Sequence, residues 1–183
     1  MPVVEWHLHS AAETAMPLTI RPEQPGDSDA IETLTIAAFR NAPHSSHTEH
    51  FIIRALRAAG VLSISLVAVE NEVILGHVAL SPVSISSGAS DWFGLGPISV
   101  SPERQGQDIG TQLMHAALDS LRTQSAAGCV LLGEPAYYGR FGFKADPALV
   151  LPEVPEEYFQ ALSFGGPLPQ GIVTYHAAFA AQS

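Results

Sequence analysis

The sequence has one cysteine and one lysine in 183 residues, and each scarcity excludes something. With Cys129 alone, no disulfide can form within the chain, and its place in the apolar run "GCVLLG" gives it the character of a small buried hydrophobe rather than a nucleophile. With Lys144 as the only lysine, the Gly-x-x-x-x-Gly-Lys-Ser/Thr loop of nucleotide hydrolases is absent. Positive charge is scarce altogether: 8 lysines and arginines stand against 18 aspartates and glutamates, a formal net charge of −10. A phosphate backbone finds little to hold on such a surface, so nucleic acid is not an expected partner, whereas a cationic small molecule or basic peptide is favoured. Long apolar runs are missing too. No stretch approaches a membrane span, and the opening "MPVVEWHLHSAAETA" lacks the basic residues and apolar stretch of a secretory signal. No membrane association and a cytoplasmic location are therefore expected. Internal repeats and low-complexity tracts are absent as well.

What is present reads as one globular domain, 46% apolar and 14% charged. Residues 1–16 are expected to be an N-terminal extension, and 17–183 the domain. Leu18 to Arg21 form a strand, and the Pro22 to Gly26 turn leads into a helix with an Asp29/Glu32 capping pair and Ile31, Leu34, Ala38 and Phe39 on one face. A second helix starts at Ser46, paired with Glu49, and runs toward Gly60. In "ISLVAVENEVILGHVAL", Ile64 to Leu80, two β-rich runs flank Glu70-Asn71-Glu72, the pattern of a hairpin. A strand over Gly94 to Ser101 is interrupted by Gly94, Gly96 and Pro97, which predicts a bulge or splay. The next helix spans Ile109 to Gln124 with Ile109, Leu113, Ala117 and Leu121 inward. The strand after it, Cys129 to Gly133, should lie parallel to the one before, because a helix crosses between them. "EPAYYGRFGF" predicts a short helix turning into a strand. Proline-rich Pro147 to Pro169 reads as irregular, and a terminal strand runs over Gly171 to Phe179.

Two motifs carry the chemistry. In "GLGPISVSPERQGQDIG" a strand stops and a helix starts across a polar turn holding Gly106, with Gly110 in the first helical turn. The start of a helix offers unpaired N–H groups and the positive end of a dipole, so it holds an anion without a lysine. The second motif, "LLGEPAYYGRFGF", combines an acidic residue, paired tyrosines and a glycine-bounded aromatic end.

Together with the element order, these motifs resemble those of the GCN5-related N-acetyltransferases (GNAT), and most closely a YhbS-like bacterial branch; the likeness covers Leu18 to Phe179. It implies an α/β fold with a mixed, mainly antiparallel central sheet, splayed central parallel strands and flanking helices. It further implies acetyl-CoA as co-substrate, no metal, and transfer of acetyl to an amine of a small molecule or peptide by direct attack. The family's Gln/Arg-x-x-Gly-x-Gly/Ala pattern, which wraps the pyrophosphate of coenzyme A, falls on Gln105, Gly106, Gln107, Asp108, Ile109 and Gly110, flanked by Arg104 and Thr111. Asp108 replaces the pattern's first glycine; as an aspartate it is expected to cap the helix with its carboxylate turned away. Backbone groups of Ile98, Ser99 and Val100 would bond the pantetheine arm. The tyrosine that protonates the leaving thiolate falls on Tyr138, with Tyr137 as packing. Glu134, at a strand end, is the first candidate for the general base, with bulk water as the alternative and His77 read as a core histidine. His44, His47 and His50 straddle a helix start and do not share one face, so they read as a solvated cap rather than a metal site. In this family the segment between the first two helices often lines the acceptor pocket. A non-catalytic acyl-CoA-binding or sensing module is the alternative function, and a homodimer through an exposed strand edge is compatible with the pattern.

Overall fold

The computed structural model describes residues 17–43 and 45–183; the extension expected over residues 1–16 and His44 lie outside the described residues. The chain opens with β1 (Thr19–Pro22), α1 (Ser28–Phe39) and α2 (Glu49–Ala58), and continues with β2 (Ile64–Glu70), β3 (Val73–Pro82), β4 (Ser84–Ile85) and β5 (Trp92–Val100). After α3 (Ile109–Thr123) come β6 (Gly128–Leu132), α4 (Pro135–Tyr138), β7 (Leu149–Val150), β8 (Phe159–Ser163) and β9 (Gly171–Thr174). Six strands form one sheet in the order β1-β2-β3-β5-β6-β8, while β4, β9 and β7 make a small second sheet. Within the large sheet every pairing is antiparallel except β5 with β6, the pair joined through α3. This is the mixed, mainly antiparallel α/β architecture the sequence implied.

Period decides which helix covers which face. Alternate residues of the β2–β3 hairpin, including Leu66, Ala68, Val78 and Leu80, pack with Ile109, Leu113, Ala117 and Leu121 of α3, each of these four 0–1% exposed. The intervening Val67 and Ala79 pack with Ile31 of α1 and Ile53 of α2 on the opposite face. The hairpin turns at Asn71 and Glu72, both at positive φ (49° and 65°), as a two-residue turn matched to strand twist requires.

Several boundaries differ from expectation. Helix α1 starts at Ser28 because the preceding turn, with Pro25 in it, is anchored by Asp27: its carboxylate accepts from Gln24 N at 2.7 Å and from Arg21 at 2.6 and 3.1 Å. Asp29 therefore lies inside the helix and is not its cap. Helix α2 starts at Glu49 rather than Ser46, whose hydroxyl instead pairs with Thr48 Oγ1 at 2.7 Å. The segment expected to be irregular contains β8, the sixth strand of the main sheet. Past Phe143 only a single bridge, Lys144 to Ala161, stands where a strand was expected. The terminal strand stops at Thr174, and a 3-10 turn follows over Ala177–Ala180. None of the helices over the described residues is long and apolar enough to cross a membrane.

Candidate active site

The parallel strands β5 and β6 pair only over Trp92–Gly94 with Gly128–Val130, and beyond those residues they part. Pro97 has no N–H to give a ladder, and the β3–β5 register shifts between Val78 and Leu80, so the expected irregularity lies at the opening. Ser101 N donates to Leu75 O at 2.8 Å, toward β3, while Val100 O accepts from Gln105 Nε2 at 3.2 Å on the other side. Main-chain groups alternate along a strand, so Ile98 and Val100 present theirs to the opening and Ser99 presents its own to β3. The Ser99 side chain is also turned away: it is 2% exposed, and its hydroxyl lies 3.2 Å from Thr35 Oγ1 of α1. Of the three strand residues expected to face the coenzyme, Ile98 and Val100 line the opening and Ser99 does not.

At the mouth of the opening the chain turns into α3 through two left-handed residues, Gly106 (φ 73°) and Asp108 (φ 68°). A glycine is unstrained there, and aspartate is among the few other residues that tolerate the conformation. Asp108 occupies the N-cap position, but its side chain makes no capping hydrogen bond; only its carbonyl joins the helix, accepting from Gln112 N at 3.0 Å. The expected carboxylate cap is thus absent because the left-handed backbone, which the family's glycine would adopt freely, carries the side chain out to solvent. Arg104, Gln105, Gly106, Asp108, Ile109, Gly110 and Thr111 line a cleft of about 490 Å³ together with Ile98 and Val100. Gln107 does not: it accepts from Arg104 Nε at 2.8 Å and donates to Glu103 O at 3.3 Å. Arg104 is further held by both oxygens of Glu70, at 2.7 and 3.2 Å, and this holds the Glu70 carboxyl below its ordinary range.

The far wall of the cleft is α4. Tyr137 and Tyr138 meet edge to face, with ring centroids 4.9 Å apart, and the Arg140 guanidinium lies 4.5 Å above the Tyr137 ring. Gly110 leaves the space that the Tyr137 hydroxyl occupies: a Cβ there would sit 2.9 Å from it. Gly133 has the same relation to Tyr138, since a Cβ at Gly133 would run into the Tyr138 ring. Burial, with Tyr137 adding to it, pushes the Tyr138 hydroxyl up to about 12, so it is a proton-bearing group at neutral pH. Glu134 is exposed at the N-terminus of α4 and is not part of either cleft wall, contrary to its expected place.

A second cleft, about 460 Å³, backs onto the first, and Ile98 and Tyr138 belong to both. Its wall gathers distant segments: Phe39 from the end of α1, Glu49 and Ile52 from α2, Leu95, Gly96 and Pro97 from β5, Leu132 from β6, Leu151, and Tyr175 and Phe179 from the C-terminal segment. His47 and His50 line a smaller neighbouring hollow with Glu49 and Arg40. No group of three or more metal-binding side chains occurs among the described residues.

His77 lies away from both clefts. It is 0% exposed, and Nε2 is 2.8 Å from Ser65 Oγ, whose own proton is committed to Glu23; the ring therefore carries its hydrogen on Nε2. Burial, followed by the charge of Arg57, pushes the imidazole down to about 3, so the Glu23 oxygen 4.0 Å away faces a neutral ring and not an ion-pair partner. Cys129 is likewise fully buried, and burial drives its thiol far up, which removes it as a nucleophile. Tyr137, Arg140 and Glu49 are cleft residues that sequence reasoning passed over. The first two lie inside the tyrosine motif, so their signal is local, whereas in sequence Glu49 has the position of a capping partner to Ser46.

Comparison with other proteins points the same way as this geometry. Residues 19–145 match the acetyltransferase (GNAT) domain family. An N-acetyltransferase of Escherichia coli strain K12, YhbS, is 37% identical over 128 residues, covering 69% of this chain and 74% of that protein. A crystal structure of a GNAT family acetyltransferase from Brucella melitensis in complex with acetyl-CoA superposes with a TM-score of 0.80 at 49% identity, over 89% of this chain and 98% of that one. The E. coli YhbS structure in complex with CoA gives 0.79 at 33% identity, over 91% and 93%. Parted strands above a glycine-turned helix start, and relatives that share both sequence and fold over most of their lengths, make this chain a member of the GNAT acetyltransferase family.

Proposed function

We propose that the protein is an acetyl-CoA-dependent N-acetyltransferase that binds the coenzyme in the cleft under β5 and α3 and its amine in the cleft beyond Tyr138. The observation that carries this reading is the junction of the two clefts at Ile98 and Tyr138. A coenzyme-sensing module needs the first cleft alone; a transferase needs a second one opening onto the same reactive atoms.

The residues fit the coenzyme. The first turn of α3 offers unpaired N–H groups, Gly106 bears no side chain over the turn, and a Cβ there would meet nothing within 4 Å, so backbone is open to an anionic pyrophosphate. Arg140 at the rim brings positive charge, while the Arg104 guanidinium is shared with Glu70. Ile98 and Val100 offer main-chain groups that no strand has taken, as an extended amide-bearing arm requires. Acetyl-CoA bound there supplies a thioester that the amine attacks and a thiolate that leaves. A main-chain N–H of the opened strand donates to the thioester carbonyl oxygen as charge develops on it. Tyr138, protonated and fixed by its packing over Gly133, gives its proton to the sulfur and recovers one from solvent.

Calorimetric titration with acetyl-CoA, with ATP as control, tests the first half: micromolar or tighter binding of acetyl-CoA alone is expected. The second half is read as free thiol released on adding an amine. Binding without thiol release for any amine would favour the sensing module instead.

A further inference from the structure

The cleft beyond Tyr138 has a composition that selects among amines. Its wall is apolar and aromatic, with Phe39, Ile52, Leu95, Leu151 and Phe179 around one carboxylate, Glu49. Among the described residues no lysine or arginine lines it; Arg40 belongs to the neighbouring hollow and not to this wall. Ser45 Oγ donates to Glu49 Oε1 at 2.7 Å, which fixes the carboxylate, and Oε2 makes no hydrogen bond among the described residues. From these observations, and resting on the acetyltransferase reading above, we infer that Glu49 holds the acceptor's ammonium and takes its proton, and that the acceptor is a compact apolar primary monoamine.

Charge counting gives the class. One ammonium finds one carboxylate, and its apolar body covers the aromatic wall. A second ammonium, as in a polyamine or aminoglycoside, would be desolvated without a counter-charge. An α-amino acid would bring its own carboxylate into a wall that offers no cation and already holds Glu49. The proton balance is complete. The ammonium loses one proton to the Glu49 carboxylate; the nitrogen then bonds the acetyl carbon as the carbon–sulfur bond breaks. Its second proton leaves to solvent, the sulfur takes the proton of Tyr138, and solvent then takes the proton from Glu49 and returns one to Tyr138. Neither Glu134, exposed outside the clefts, nor His77, sealed beneath the sheet, is placed to compete for the first of these steps.

The experiment compares thiol release at saturating acetyl-CoA with 2-phenylethylamine, phenylalanine, spermidine and a short peptide with an N-terminal phenylalanine. Phenylethylamine and phenylalanine differ only by the carboxylate. The expected kcat/KM is at least about tenfold higher for phenylethylamine than for the other three, as the loss or misplacement of one charge pair produces. Glu49→Gln should lower it about 100-fold at pH 7 while the calorimetric affinity for acetyl-CoA stays unchanged. That gap should narrow as pH rises toward the amine's own pKa, because free amine needs no base; a merely structural Glu49, capping through Ser45, would leave the pH profile unmoved. Leu132→Lys is the second variant, at a side chain 50% exposed on the same wall, and should shift preference from phenylethylamine toward phenylalanine. Preference for spermidine, phenylalanine or the peptide, no turnover of phenylethylamine, or a Glu49→Gln profile parallel to wild type overturns the inference, while thiol release with any amine leaves the transferase reading standing. Failure to bind acetyl-CoA overturns both.

Discussion

Acid should remove a definite share of this protein's stability through one side chain, His77. In the folded chain burial and Arg57 push its imidazole from 6.5 down to about 3, so the ring stays neutral; in the unfolded chain it titrates near its ordinary value. Below about pH 6.5 the unfolded state therefore binds a proton that the folded state refuses, and stability falls as pH falls, from about 6.5 down to about 3. At pH 5 the unfolded chain is almost fully protonated at this position and the folded chain almost not at all. The linkage integral between pH 7 and pH 5 then amounts to about 2 kcal/mol, or roughly 4–8 °C in melting temperature for a chain of this size. The measurement is urea unfolding of wild type and His77→Gln at both pH values. Glutamine keeps an N–H for Ser65 but does not titrate, so the variant should lose about 2 kcal/mol less than wild type over the interval, whatever constant cost it carries. Asp27 and Glu70, whose carboxyls are held low by Arg21 and Arg104, lose their contributions as pH falls through their folded values, and do so equally in both proteins. Equal losses in wild type and variant would refute the reasoning, because the buried ring would then be taking up its proton without resistance.

Further outcomes follow from the coenzyme cleft. Tyr138→Phe should lower kcat by about 10²–10⁴ with acetyl-CoA affinity unchanged, the usual worth of a positioned proton donor. Since burial raises the Tyr138 hydroxyl to about 12, the wild-type rate should show no falling limb up to pH 10; a fall near pH 9 would place the donor elsewhere. Asp108→Gly removes a carboxylate from the start of α3 and should tighten acetyl-CoA about fivefold by calorimetry, the worth of about 1 kcal/mol of like-charge repulsion in water. Its melting temperature should hardly move, because relief of the left-handed backbone at φ 68° is offset by the extra freedom glycine gives the unfolded chain. Weaker binding by that variant would show Asp108 contacting the coenzyme.

The half of the site proposed to hold the coenzyme was legible in the sequence because it is local. Gly106, Asp108 and Gly110 determine a turn and a helix start within five residues, and the apolar period of α3 says which side of that helix lies on the sheet. The binding proposed there is by backbone rather than side chains, so a short pattern of permissive residues is enough to specify it. Even in this stretch the sequence could not say that Ser99 turns to β3 or that Gln107 folds back on Arg104, since those orientations depend on pleat and turn geometry. The acceptor half was not legible, and for a physical reason. Strand β8 hides among Pro147, Pro152, Pro155, Pro167 and Pro169; what makes Phe159–Ser163 a strand is its partner β6, some thirty residues earlier, and the buried Gln160 that donates to Gly133 O at 2.9 Å. Glu49 looked like one end of a helix cap, and only the tertiary structure brings it beside Leu151 and Phe179, each more than a hundred residues away along the chain. A wall assembled from a few residues each of α1, α2, β5, β6, the loop at Leu151 and the C-terminal segment has no period and no motif. Each of those segments can change independently without disturbing the turn at the start of α3, so a fixed coenzyme site could serve different acceptors, and the acceptor has to be read from the assembled wall.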